Sequence, residues 1–319
     1  MTLAGSPDAR SPLVLEPDAV AMTAPSSLRR DTLRNILRQR SALVGLTLLG
    51  FLATVAILAP VIAPFDPVLS MLDLGLPGSR GAAPCIHLLG CPVDQPQHLM
   101  GLDSNIRDEF SRVVFGARVS LLIGFVTVGF AILIGATIGA VAGFAGGAVD
   151  NVLMRIMDVM LSFPSLILAI SIVTALGYSL VNGMLAIGIV SIPIYARVMR
   201  ASVLSVRETD FVTASRALGE SSSGILARRI IPNAMTPLIV QGTLGIGGAI
   251  LEVAALSFLG LGASPPLAEW GAMIAGDRNL FFSAPHLIFF PGVAITMSVL
   301  AFNLIGDGLR DALDPRLNR

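Results

Sequence analysis

Residues 210–233 read Asp-Phe-Val-Thr-Ala-Ser-Arg-Ala-Leu-Gly-Glu-Ser-Ser-Ser-Gly-Ile-Leu-Ala-Arg-Arg-Ile-Ile-Pro-Asn, and their types and spacing suit recognition rather than bond making. After Asp210, the residues Phe211, Ala214, Ser215 and Leu218 recur at helical offsets and form one small, apolar face. Small side chains let such a face lie close in a groove. Gly219 permits φ > 0 and can end the helix. Ser221–Ser223 can cap a second short helix. Pro232, followed by Asn233, is expected to resist continuation of that second helix. The product is a helix–turn–helix knob. The plain alternative is an ordinary solvated loop, which this spacing disfavours.

Other reactive residues are few. Glu252 is the one acid deep inside a long apolar run, where a carboxylate costs about 2.5–3.5 kcal/mol on insertion scales. Two readings stay open: it lines a polar path, or it is a buried structural acid paired with a hydroxyl or backbone group. Cys85 and Cys91 bracket a short segment. On an oxidising side of a membrane they can close a disulfide. The rivals are free thiols or a metal site with His87 and His98, whose spacing fits no strong zinc pattern. The sequence contains no Ser/His/Asp triad, no catalytic carboxylate pair and no HExxH motif. All 21 basic residues are arginine. A P-loop needs lysine to reach nucleotide phosphates, so this chain has none.

The elements that carry these residues are membrane helices. Of the 319 residues 54% are hydrophobic and only 13% charged, against about 25% charged in soluble domains. The net charge is zero, so bulk electrostatics suggests no nucleic-acid partner. A span needs roughly 20 apolar residues. Ser41–Ala63 supplies one. Val119–Val149 supplies a second, with Gly143–Gly147 read as a turn. Val159–Ala196 supplies two, folded as a hairpin near 177–183. Met235–Leu259 and Pro285–Gly306 bring the total to six. The expected fold is all-α and polytopic. Its parts are a tail at 1–40, disordered at least to about 27, a first span at 41–63, a loop at 64–118, a five-span core at 119–306 containing the polar loop 197–234, and a tail at 307–319. Arginines crowd the first span's leading side, the loop 197–234 and the C-terminal tail; Arg80, Arg107, Arg112 and Arg118 break the bias in the loop 64–118, but long loops cross regardless of charge. The positive-inside rule therefore puts both termini and that loop in the cytoplasm. Pro164 and Pro193 fall in or at the ends of spans and can kink them or merely adjust packing. Arg155 and Asp158, at a helix end, are expected to snorkel or to pair with each other.

With the spans placed, the motifs join a wider pattern. His98-Leu99-Met100-Gly101-Leu102-Asp103 precedes Arg107-Asp108, Ser111-Arg112 and Phe115-Gly116-Ala117-Arg118. Further on stand Phe163-Pro164-Ser165, Leu256-Ser257-Phe258-Leu259-Gly260-Leu261-Gly262, Trp270-Gly271 and Asp314-Pro315-Arg316. Over about residues 30–316 the chain resembles the C-type permease subunit of dipeptide/oligopeptide ABC importers, in the peptide/nickel group. It departs from the pattern at Thr213, where Glu is usual, at Arg229 for His, and at Ile106 for Gly. Glu252 lies one position earlier than the family's acid.

The resemblance implies a type I importer permease in the inner membrane with no catalytic residues and no cofactor of its own. Mg-ATP would be bound by partner subunits. Asp210, Phe211, Ala214, Ser215, Leu218, Gly219, Pro232 and Asn233 would form the coupling element for an ATPase subunit. Glu252 would be a solute-path candidate. The implied partners are a second permease subunit, two ATP-binding subunits and an extracytoplasmic solute-binding protein, besides the lipid bilayer. Nickel, glutathione or another small solute stays open beside peptides, and an ion-gradient-driven secondary transporter is the distant rival, which would need more intramembrane ionisable groups.

Overall fold

The computed structural model describes residues 39–313. The tail at 1–27, most of the leading arginine cluster and the Asp314-Pro315-Arg316 motif lie outside the described residues. Nine α-helices follow in order among those described: α1 (Arg40–Ile62), α2 (Glu109–Ala145), α3 (Gly147–Leu161), α4 (Ser165–Leu176), α5 (Leu180–Arg207), α6 (Asp210–Ala217), α7 (Ser222–Phe258), α8 (Trp270–Asp277) and α9 (His286–Leu313). Helices α1, α2, α5, α7 and α9 are long and apolar enough to cross a membrane.

The tightest seam joins α2 to α5. Gly135, Gly139 and Gly143 recur every fourth residue, so they stack on one stripe of α2. A Cβ at Gly135 would stand 2.7 Å from the Ile192 carbonyl oxygen, and one at Gly143 2.9 Å from that of Arg200. Without those methyls the two backbones meet directly, the small-residue packing that holds helices together where lipid removes the hydrophobic drive. Helix α7 closes over α2 and α5, while α9 packs between α1 and α7. Trp270 of α8 is buried against α2, where Gly116 leaves room for its ring and the Val113 carbonyl accepts from its Nε1 at 3.0 Å.

Three elements differ from the sequence expectation. The third of the six expected spans is not a straight helix: α3 and α4 meet at a 93° bend across Ser162–Pro164. Pro164 pushes the preceding residue towards extended backbone, so the helix stops there. The 12-residue α4 is about 18 Å long and cannot cross about 30 Å of hydrocarbon alone. Secondly, α2 begins at Glu109, inside the stretch 64–118 read as a loop. Thirdly, Pro232 does not end a helix. Helix α7 runs unbroken from Ser222 through Pro232 and Pro237 to Phe258. A wider, π-type turn over Ile225–Ile230 precedes Pro232, at the point where its ring would otherwise press on a preceding carbonyl.

Candidate functional site

The polar knob is built from the end of α5, from α6 and from the first turns of α7. Thr209 breaks the chain between α5 and α6. Helix α6 ends in a Schellman motif: the Glu220 N–H donates to the Ser215 carbonyl at 3.1 Å and the Gly219 N–H to that of Arg216 at 3.0 Å. Gly219 supplies the left-handed residue this motif requires, with φ 81°. Ser221 then caps the next helix, accepting from the Gly224 N–H at 3.2 Å. Glu220 and Arg229 pair across the turn at 3.1 Å.

One side chain anchors the knob. Val212 is fully buried in the core cluster that also contains Ile225 and Ile230. The opposite side of α6 is open. Phe211 is 44% exposed and Leu218 88% exposed; between them Ala214 is exposed and Ser215 half-buried. Asp210, Pro232 and Asn233 are also exposed. Phe211, Ala214 and Leu218 therefore share a helical face that the described residues leave uncovered, with Ser215 half-buried on it.

Ion pairs tie this end of the bundle. Arg200 of α5 donates from Nε and Nη2 to the two carboxylate oxygens of Asp150 of α3, each at 2.5 Å. Arg207 donates to the Gly143 and Phe144 carbonyls, closing the end of α2. Asp158 does not pair with Arg155. It takes Arg197 of α5 at 2.5 Å, because the bend at Ser162–Pro164 lays α3 beside α5. Glu252 sits half-buried on α7 with no ion-pair partner among the described residues.

At the other end, the segment before α2 is more ordered than a loop. Cys85 and Cys91 are joined as a disulfide with their Cα atoms 5.3 Å apart. Cys85 also pairs through backbone with His98. His98 Nδ1 lies 2.9 Å from Asp108 Oδ1, and the other oxygen of Asp108 caps α2 by accepting from the Ser111 N–H and hydroxyl. Asp103 accepts from Arg107 Nε at 2.7 Å and from the Arg107 and Asn105 backbones at 2.8 Å. Arg112 Nε stands 3.4 Å from Asp103, an ion pair without hydrogen-bond geometry. Asp277, at the end of α8, accepts from the Ser104 N–H at 3.0 Å. Burial pushes the Asp277 carboxyl above its ordinary range, partly offset by Ser104. Ile106 has φ 61°, a left-handed turn at the position where the resemblance expected glycine. Motif spacing had marked Asp103, Arg107, Asp108 and Arg112. It did not mark Glu109 or Asp277, whose role depends on contacts between distant segments.

Family comparison meets this geometry directly. The profile of the binding-protein-dependent transport system inner membrane component matches residues 135–319, more than half of the chain. The chain belongs to that family. Residues 27–76 match the N-terminal transmembrane domain of oligopeptide transport permease C. The dipeptide transport system permease protein DppC of Alkalihalophilus pseudofirmus is 43% identical over 90% of each chain. The di/tripeptide transport system permease protein of Pseudomonas aeruginosa is 42% identical over 93% of this chain and 95% of its own. In fold, the chain is similar to a subunit of the inward-facing MetNI methionine ABC transporter, with a TM-score of 0.53 at 19% identity, over 64% of this chain and 98% of that one. This permease is thus a helical membrane component of a binding-protein-dependent transporter.

Proposed function

We propose that this permease takes up dipeptides or oligopeptides handed over by an extracytoplasmic solute-binding protein, and that it is driven by separate ATP-binding subunits. The chain has no lysine and hence no P-loop, so nucleotide work is assigned to partners. It would pair with a second permease subunit, with Mg-ATP held only by two ATPase subunits. Both termini and the knob lie in the cytoplasm in this reading, following the arginine distribution.

The observation that carries the reading is the uncovered face of α6. Phe211 and Leu218 are exposed while Val212 holds the helix to the core. A short helix anchored by one side chain transmits a push to α5 and α7, the two helices it connects. ATP-driven closure of the partner subunits would move α6, and the permease pair would switch between inward-open and outward-open states. Solute identity follows the curated relatives, whose names specify dipeptides and, in a 44% identical relative from Pectobacterium atrosepticum, glutathione.

Two measurements test this. Cysteines placed at Ala214 or Ser215 should cross-link to the ATP-binding subunit and not to the solute-binding protein. Membrane vesicles holding the full assembly should accumulate labelled dipeptide only with ATP inside the compartment that contains the knob. Cross-linking to the solute-binding protein instead would reverse the orientation, and ATP-independent uptake would overturn the mechanism.

A further inference from the structure

The buried polar cluster at the disulfide end contains a group that its own fold does not satisfy. Glu109, the first residue of α2, has no exposed surface, and neither carboxylate oxygen has a hydrogen-bond partner among the described residues. Its carboxylate points at two others. Oxygens of Asp103, Glu109 and Asp277 all lie within 4.8 Å of one another, and all three residues are buried. They come from three separate places: the chain before α2, the start of α2 and the end of α8.

The charges around them do not cancel. Four buried carboxylates, those of Asp103, Asp108, Glu109 and Asp277, face the guanidiniums of Arg107 and Arg112. Asp108 is engaged by His98 and Ser111, and Asp103 by Arg107. Arg112 turns its Nε to Asp103 and gives its Nη1 to the Pro67 and Pro266 carbonyls, so among the described residues no cation is hydrogen-bonded to Glu109 or Asp277. An ionised carboxylate with no partner in a dry site costs far more than a satisfied one. Three carboxylates from three segments, with the most buried one unpartnered and aimed inward, describe a receptor for a cation.

We propose that Asp103, Glu109 and Asp277 hold a divalent metal ion of the calcium type. The donors are all oxygen, which selects hard cations over zinc or copper. Glu109 supplies two free oxygens and Asp277 the one not taken by Ser104, with Asp103 completing the set. Both oxygens of Asp103 are shared, with the Asn105 and Arg107 N–H groups and with the guanidiniums of Arg107 and Arg112, so the ligand shell is irregular. Calcium tolerates an irregular shell, whereas magnesium demands a near-ideal octahedron. The ion would tie the segment before α2 to the end of α8, on the same end as the disulfide. This site is independent of the solute and of the ATPase partners.

The test uses the full-length chain in detergent with calcium chloride as the probe. Equilibrium dialysis with labelled calcium should find one saturable ion per chain, with an affinity of about 10⁻⁴–10⁻³ M, that of extracellular calcium modules. Calcium should raise the melting temperature, and chelator should reverse the rise. Glu109→Gln keeps the side-chain shape and should abolish both binding and the calcium-dependent rise. Asp277→Asn should do the same, and it serves as the second variant should the first fail to fold. Absence of saturable binding to the wild-type chain at millimolar calcium overturns the proposal, as does binding that both variants retain. A third outcome also overturns it: stability indifferent to calcium that rises on acidification, with the rise lost in Glu109→Gln. That result would assign the site to a proton.

Discussion

Replacing Gly139 with alanine tests whether the α2–α5 seam is set by backbone contact. A Cβ there would fall within 3.0 Å of the Ala196 carbonyl oxygen, the Arg200 nitrogen (2.9 Å) and the Met199 Cβ (2.9 Å). Two of these are backbone atoms of α5, so no rotamer change relieves the contact and the helices must separate. Overpacking of this kind costs about 1–3 kcal/mol. Alanine also favours the helix over glycine by up to ~1 kcal/mol, which masks part of the loss. Gly129→Ala supplies the correction. It lies in the same helix, and its Cβ would meet nothing within 4 Å. The propensity gain is common to both variants and cancels in their difference, leaving the clash alone at about 1–3 kcal/mol. The assay is unfolding of the purified chain by increasing SDS in mixed micelles, followed by far-ultraviolet circular dichroism. Gly129→Ala should match or exceed the wild type, and Gly139→Ala should unfold earlier than both. Equal midpoints for the two variants would show that the seam yields without loss, and the argument from backbone contact would fail.

The knob makes a separate prediction. A Cβ at Gly219 would meet no atom within 4 Å, but Gly219→Leu must adopt φ 81°, so it should cost about 1–2 kcal/mol locally and leave the membrane helices folded. Transport at normal rates with normal retention of the ATPase subunit would refute a coupling role for α6. At Ile106 the usual ranking should invert: with φ 61°, Ile106→Gly should be more stable than Ile106→Ala by roughly 0.5–1 kcal/mol in thermal melts, the left-handed strain outweighing glycine's entropy. Replacing Cys85 and Cys91 with serine should weaken the segment before α2 by about 2 kcal/mol in the chain-entropy model, seen as faster hydrogen exchange there and unchanged exchange in α2 and α5.

Much of the architecture was legible locally. Runs of uncharged residues mark membrane helices because a bilayer admits little else, and α1 occupies almost the same residues as the expected first span. The turn at Gly219 was legible for a similar reason: a left-handed residue after a helical stripe has few other solutions. The sequence by itself therefore determined an all-helical membrane chain with a polar knob between two long helices. Only the tertiary structure decided matters that depend on segments far apart. Pro164 stops one helix and bends the chain by 93°, whereas Pro232 lies within an unbroken helix because a widened turn precedes it. Asp158 passes over nearby Arg155 for Arg197, because helix packing sets which charges meet. Glu109 and Asp277 read as unremarkable acids until α2 and α8 bring them beside Asp103. Local spacing encodes periodicity and turns, but the partner of a buried charge is chosen by long-range packing, which no local pattern specifies.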